Sequence, residues 1–346
     1  MTTQQLLQSS AQHLNIKHTH EQMYPTQSVG AVMSASFMTL KADISVKDAL
    51  NQIRLDAPVK DTIYFAYVLD ERGGLRGTVS LRDLILAQPD TQIVDLMTTQ
   101  VVSCSVFDEA AEAARLISAY DLLAVPVLDR HQRMIGIVTY DEALDVTEEE
   151  STEDQLKLGG VGKLVGSIKD STISRLYKMR VGWLVLLVFG NVFSGAGIAY
   201  FEDLIASMVA LVFFLPLLVD SGGNAGSQSA TLVVRALATG EVKRRDWLQM
   251  LGKECTVALL LGLTMAAAVA SIGWWRGGPE IAAVVAATMV LIVLVGSVIG
   301  LLLPFLFNRL NLDPAAASAP LITSICDAAG VLIYFSIADA FLVIPA

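Results

Sequence analysis

Five long apolar stretches in the second half of the chain constrain its fold more than any other feature. They cover residues 181–201, 204–237, 255–275, 281–307 and about 315–345. A run of about 20 apolar residues is long enough to cross a bilayer as a helix. The first stretch carries no charge at all. The second contains Pro216 and Gly222-Gly223, which are expected to interrupt its helix, and the fifth contains Asp327 and Asp339. Charge is distributed to match. Residues 1–175 hold 24 acidic and 15 basic side chains, whereas residues 176–346 hold 10 and 9. The two halves therefore suit different solvents. This excludes a single water-soluble domain, a disordered chain and a disulfide scaffold. The acidic balance also argues against nucleic acid as a partner, because phosphate neutralisation needs a basic face.

Basic residues set the expected orientation. Arg175, Lys178 and Arg180 precede the first stretch. Arg235, Lys243, Arg244, Arg245 and Lys253 surround the loop after the second, and Arg309 follows the fourth. The alternate loops hold Glu202, Asp203 and a single cation, Arg276. This asymmetry predicts a multi-pass protein of the cytoplasmic membrane, with the N-terminus inside and the C-terminus outside. Trp183, Trp274 and Trp275 lie near the ends of the stretches, where indole rings favour the lipid–water interface. The N-terminal residues MTTQQLLQSS have no basic region followed by an apolar run, so no signal peptide is expected. Cys104, Cys255 and Cys326 lack metal or redox spacing. No phosphate-binding loop is present, and His13, His18, His20 and His131 stand in no nucleophile or metal motif. An enzyme is not expected.

The first half contains a repeat. YVLDERGGLRGTVSLRDL at 67–84 aligns with VPVLDRHQRMIGIVTYDEAL at 125–144 on an offset of 59. Val68-Leu69-Asp70 matches Val127-Leu128-Asp129, Gly77 matches Gly136, and Ser80 matches Thr139. Each copy predicts strand, turn, strand, and then a helix capped by Ser80 or Thr139. Two copies of one β–α module are expected to pair and bury a shared face.

This pattern resembles a pair of CBS domains. In such domains the [ST]-x-x-D step often holds the ribose and phosphates of an adenine nucleotide such as ATP. The resemblance carries that role to Ser80, Arg82 and Asp83, with Thr139 and Glu142 a looser second copy. Plain helix capping is the competing reading of the same residues.

Polar residues in the apolar half carry the remaining chemistry. Residues 215–241 read LPLLVDSGGNAGSQSATLVVRALATGE. Asn224 and Gln228 are four apart and share a helical face, and small residues around them allow close packing. Residues 313–341 begin DPAAASAP and continue to Asp327, with Thr323 and Ser324 just before it. A carboxylate inside a span is costly and marks a functional site by default. Asp327 therefore predicts a cation site, with Thr323 and Ser324 placed to line the same pore. Asp313 opens the fifth stretch, where its charge also suits a helix N-terminus.

The order of CBS pair, acidic linker, five spans, G-G-N-x-G-x-Q and D-P-A…D is similar to the MgtE family of magnesium channels. The resemblance runs from about Tyr24, where YPTQSVGAVM enters the CBS pair, to the end. It implies a cytosolic α/β CBS-domain pair followed by an all-α five-helix transmembrane domain. The implied division is a short segment 1–23, tandem CBS domains at 24–145, an acidic linker and connecting helix at 146–179, and the transmembrane domain at 180–346. It further implies a homodimer in the lipid bilayer, with Asp327 of both subunits selecting Mg²⁺ in the pore beside Asp313, Asn224 and Gln228. Family members commonly carry a helical acidic domain before the CBS pair. Only a short segment precedes Tyr24 here, so the resemblance implies a member lacking that domain and a weaker gate.

Residues 141–154 hold eight carboxylates and no cation. They read either as a solvated helix face or as a sensor of cytosolic Mg²⁺. By resemblance Asp121, Glu142, Asp145, Glu150, Glu153 and Asp154 occupy the sensor positions. Carboxylate oxygens also suit Mn²⁺, so transport of Mn²⁺ or Co²⁺ is an alternative. A membrane-anchored nucleotide sensor that moves no ion is a further one.

Overall fold

The repeat has a structural counterpart in two three-stranded sheets with identical registers. In the computed structural model, β1 (Met38–Leu40) runs parallel to β2 (Phe65–Leu69), which pairs antiparallel with β3 (Leu75–Ser80). In the second copy, β4 (Cys104–Ser105) runs parallel to β5 (Ala124–Leu128), which pairs antiparallel with β6 (Met134–Thr139). Val68 opposes Gly77 and Val127 opposes Gly136, and the register shifts immediately afterwards in both sheets. The turns are also alike. Asp70 accepts from the N–H groups of Arg72 and Gly74, and Asp129 accepts from those of His131 and Arg133. The Arg133 backbone N–H leads the contacts that hold the Asp129 carboxyl down at about 2. The structure describes residues 23–60, 62–164 and 166–342. The N-terminal segment with His13, His18 and His20 and the last residues of the fifth apolar stretch lie outside that range.

The two copies exchange segments. Ser34 bridges to Ile137 in the second sheet, and Thr98 bridges to Thr78 in the first. Val29 and Met33 pack with Cys104, Val106 and Val125, whereas Ile93 packs with Met38, Leu40 and Val68. A close approach explains both glycines of the repeat. A Cβ at Gly77 would stand 2.9 Å from the Thr98 carbonyl oxygen, and one at Gly136 would stand 2.9 Å from that of Ser34. The inner faces meet through Tyr67, Ala124, Met134 and Ile137, with Phe65, Leu69 and Leu128 beside them.

The chain divides into two units, Met1–Ser151 and Thr152–Ala346, inside the helix Tyr140–Leu158. The acidic run extends this helix out of the second sheet. It ends where Gly160 adopts φ +69 and Val161 N–H reaches back to the Leu156 carbonyl. The connection up to Thr172 is not helical, so residues 146–179 are a helix, a loop and the start of another helix.

The second unit is helical. Ile173–Gly190 and Val192–Tyr200 follow each other, then the short Glu202–Ser207, Ala210–Ala238, Trp247–Arg309 and Ala319–Phe341. By length and composition three segments can cross a membrane: Ile173–Tyr200, Arg244–Arg309 and Ala319–Phe341. The second of these covers the third and fourth apolar stretches. Its backbone leaves helical geometry at Gly278, with φ 81 and ψ −173. The arms on either side fold back on each other, since a Cβ at Gly262 would meet the Val290 backbone and one at Gly273 would meet Ala282.

Ala210–Ala238 runs unbroken through Pro216 and Gly222-Gly223, contrary to the interruption expected from sequence. Proline removes one rung of the ladder, and the face buried through Leu211, Phe214 and Leu218 holds the helix across it. The glycines serve contact instead. A Cβ at Gly296 would collide with the Gly222 carbonyl oxygen, and one at Gly300 with that of Gly226. Backbone therefore touches backbone where Ala210–Ala238 crosses the second arm, the small-residue packing typical of membrane helices.

Candidate functional site: a polar stripe and an ion-paired linker

The Ala210–Ala238 and Ala319–Phe341 helices run antiparallel, and the contacts between them fix their levels. Tyr334 donates its hydroxyl to the Leu211 carbonyl at 3.0 Å. A Cβ on Gly330 would touch Val219, one on Gly223 would touch Thr323, and one on Gly226 would touch Ile322. This ladder sets Asp327 level with Asp220. Asn224 donates to the Asp220 carboxylate at 2.9 Å. Asp220, Asn224 and Gln228 are all exposed and spaced by four, so they form one stripe along the helix. Leu211, Phe214, Leu218, Gly222 and Ala225 are buried on the other side. Asp327, Thr323 and Ser324 are half-buried on the neighbouring helix. Among the described residues, neither Asp220 nor Asp327 has an ion-pair partner.

Sequence reasoning passed over Asp220. The signal was available: it lies four residues before Asn224 and eight before Gln228, within an apolar run. An aliphatic helix surface can face lipid, but this stripe cannot, because hydrocarbon offers no partner for amides and carboxylates.

Asp313 stands elsewhere. It lies in the loop before Ala319–Phe341, where its side chain accepts from Ala315 N–H and caps the turn Pro314–Ala316. Its other oxygen accepts from Lys157 Nζ at 2.5 Å. Lys157 also pairs with Glu153 at 2.7 Å, and Lys163 reaches Glu153 at 3.0 Å. The end of the acidic helix is thus fastened to the loop that leads into the Asp327 helix. These contacts shift the titrating groups. Hydrogen bonds from Lys157 and Lys163 hold Glu153 below the usual carboxylate range. Burial opposes charge on Lys157, but bonds to Asp313 and Glu153 outweigh it and raise the ammonium. Burial pushes Asp154 up, and the nearby Asp313 charge adds to it. The 141–154 segment has no cation of its own, yet Lys157 and Lys163 just beyond it supply two.

The other sensor positions are spread out. Asp121 is exposed in a left-handed turn, φ 51, after the helix Ala110–Ala119. Asp145 and Glu150 are exposed on the Tyr140–Leu158 helix, and Glu142 accepts from the Thr139 hydroxyl at its start. Among the described residues no group of three or more His, Cys, Asp or Glu is placed to hold a metal ion.

Ser80 accepts from Asp83 N–H at 3.0 Å and donates to the Asp83 carboxylate at 2.6 Å, a closed helix cap. Arg82 is exposed beside it.

Comparisons with known proteins bear on both units. The family MgtE, described as a divalent cation transporter, matches residues 215–337. The CBS domain matches 29–90 and 93–149. The magnesium transporter MgtE of Thermus thermophilus is 40% identical over 319 residues, covering 92% of this chain and 71% of that protein. Its namesake in Bacillus subtilis is 35% identical over 320 residues, covering 92% and 70%. A crystal structure of the cytosolic domain of the Mg²⁺ channel MgtE in complex with ATP is 37% identical. The match covers 38% of this chain and 53% of that one, with a TM-score of 0.37.

Proposed function

The chain belongs to the MgtE family of magnesium transporters, and from that premise we propose that it moves Mg²⁺ across the cytoplasmic membrane down its electrochemical gradient, as a homodimer. The observation that carries this reading is the exposed polar stripe on Ala210–Ala238, with Asp327 half-buried beside it on a helix long and apolar enough to cross a membrane. A second copy facing the stripe would enclose it and double its carboxylates. Mg²⁺ dehydrates reluctantly and keeps several waters. Asp327 from each subunit holds such an ion through those waters, while Asn224 and Gln228 offer further oxygens. Outer-shell binding is weak enough to release the ion, as conduction requires. With the N-terminus inside, the membrane potential draws the ion inward at about 2.3 kcal/mol per charge per 100 mV.

Cytosolic Mg²⁺ gates this path through the acidic helix. Asp141, Asp145, Glu149 and Glu153 repeat at i, i+4, a spacing at which each like-charged pair costs about 0.2–0.5 kcal/mol. Divalent cations at Asp121, Glu142, Asp145, Glu150, Glu153 and Asp154 relieve that repulsion. The change reaches the pore through Lys157 and the Asp313 loop. A regulatory adenine nucleotide at Ser80, Arg82 and Asp83 would have to share the Ser80–Asp83 cap.

The test is flux into liposomes holding the full chain, with Mg²⁺, Mn²⁺, Co²⁺ and Ca²⁺ offered in turn, for wild type and Asp327→Ala. Mg²⁺ entry in wild type and none in the variant is the expected result. Equal entry in both would sink the pore assignment. Preference for Mn²⁺ or Co²⁺ would keep the pore and change its cargo.

A further inference from the structure

We propose that Asp220 is a second ion-facing carboxylate of the conduction path, sharing one divalent cation with Asp327. This rests on the transport reading above and adds a residue that fixes selectivity. Asp220 lies ten residues into a 29-residue helix, so it stands about 15 Å from the helix start at 1.5 Å per residue. That is far from either end, where a charge could reach water along the helix surface. The antiparallel ladder from Val219–Gly330 to Gly223–Thr323 brackets Asp220 against Asp327 at one level.

The competing reading makes Asp220 a mere acceptor for Asn224. One amide hydrogen bond satisfies one lone pair of a carboxylate and leaves its charge uncompensated. Two like charges at one depth in an apolar region raise that cost, and among the described residues no ion pair meets either. A cation held between them removes both penalties. Asn224 then acts as a positioning residue, turning the Asp220 oxygens toward the shared ion. In a dimer the level holds four carboxylates, enough negative charge to favour a divalent ion over a monovalent one.

Asp220→Asn isolates the charge, since the new amide still offers an oxygen to Asn224. Two measurements on the full chain decide the matter. In liposomes, Asp220→Asn is expected to raise the half-saturating Mg²⁺ about tenfold, the usual scale for losing a supporting group at a metal site. Asp220→Glu, which restores the charge, is expected to recover most of it. By equilibrium dialysis of the purified protein, Asp220→Asn and Asp327→Asn should each lose the same Mg²⁺ site, and the double variant should lose no more. Wild-type saturation and binding in Asp220→Asn would overturn the proposal, as would a double variant that loses the sum of two sites. Should wild type conduct no Mg²⁺, the dialysis still decides whether the two carboxylates share an ion, so failure of transport and failure of this proposal are told apart.

Discussion

Carboxylates at the end of the acidic helix and those on the helices Ala210–Ala238 and Ala319–Phe341 meet opposite fates. Glu153 and Asp313 are neutralised by the chain's own lysines, Lys157 and Lys163. Asp220 and Asp327 have no such partner among the described residues, although they lie where charge is costlier. A tethered ammonium joins the linker to the loop ahead of the last helix within the chain itself. An uncompensated carboxylate in an apolar region leaves a place for a cation that arrives and departs. The first arrangement suits a joint, and the second suits a conduction path.

The comparison can be broken by giving the path a lysine. Asn224→Lys would place an ammonium beside Asp220, copying what Lys157 does for Glu153. Mg²⁺ entry into liposomes should fall to background, and normal entry would show that these carboxylates need no exchangeable cation. Removing the lysine from the joint is the converse. Lys157→Met leaves Glu153 with Lys163 alone and Asp313 without its ammonium. Closure by cytosolic Mg²⁺, read as the concentration that halves flux, should shift several-fold, on the order of the 5–150-fold range of allosteric couplings. An unchanged midpoint would remove Lys157 from the gate.

The joint should also be insensitive to pH over a defined window. Glu153 is depressed by its lysines, so its stabilisation is complete above the unfolded value of about 4.3 and is lost as pH falls through the lower folded value. Lys157 is raised, so its share is complete below about 10.4 and is lost only as pH rises through the higher folded value. Any effect of Lys157→Met should therefore be constant between about pH 7 and 9, and change only toward acid, where Asp154, already raised by burial and losing the nearby Lys157 charge, takes up a proton. A bell-shaped dependence in that range would contradict the pairing.

Two smaller effects sharpen the comparison of the units. Gly300→Ala forces a methyl group against the Gly226 carbonyl oxygen. It should cost about 1–3 kcal/mol, the scale of overpacking, seen as a lower thermal midpoint of the full chain. Ser80→Ala removes the cap from the helix Leu81–Leu86 and should cost about 1 kcal/mol. Adenine nucleotide affinity that survives this change would show that Ser80 is a cap and not a ligand.

The sequence made some of this visible and hid the rest for physical reasons. The offset of 59 between Gly77 and Gly136 is a local pattern, and it returned as identical strand registers. The apolar stretches were legible because helix length scales with bilayer thickness. The exchange that carries Ser34 to Ile137 was not legible, since pairing across a hundred residues leaves no periodic trace. Pro216 misled because its local cost is outweighed by packing that only the folded chain has. Asn224, Gln228 and Asp327 stood out as polar groups in apolar surroundings, whereas Asp220 was absorbed into the glycine-rich motif beside it. Its level with Asp327 depends on two helices a hundred residues apart in the chain. Lys157 was hidden in the same way, being one cation after a run of acids until Asp313 comes beside it.

The most direct test of the central claim is Mg²⁺ entry into liposomes under an imposed membrane potential, for wild type and Asp327→Ala, with dimer content measured in parallel. Entry in wild type that grows with inside-negative potential, and none in an Asp327→Ala variant that still forms the dimer, is the result this account predicts. Potential-driven entry of equal size in the variant would contradict it.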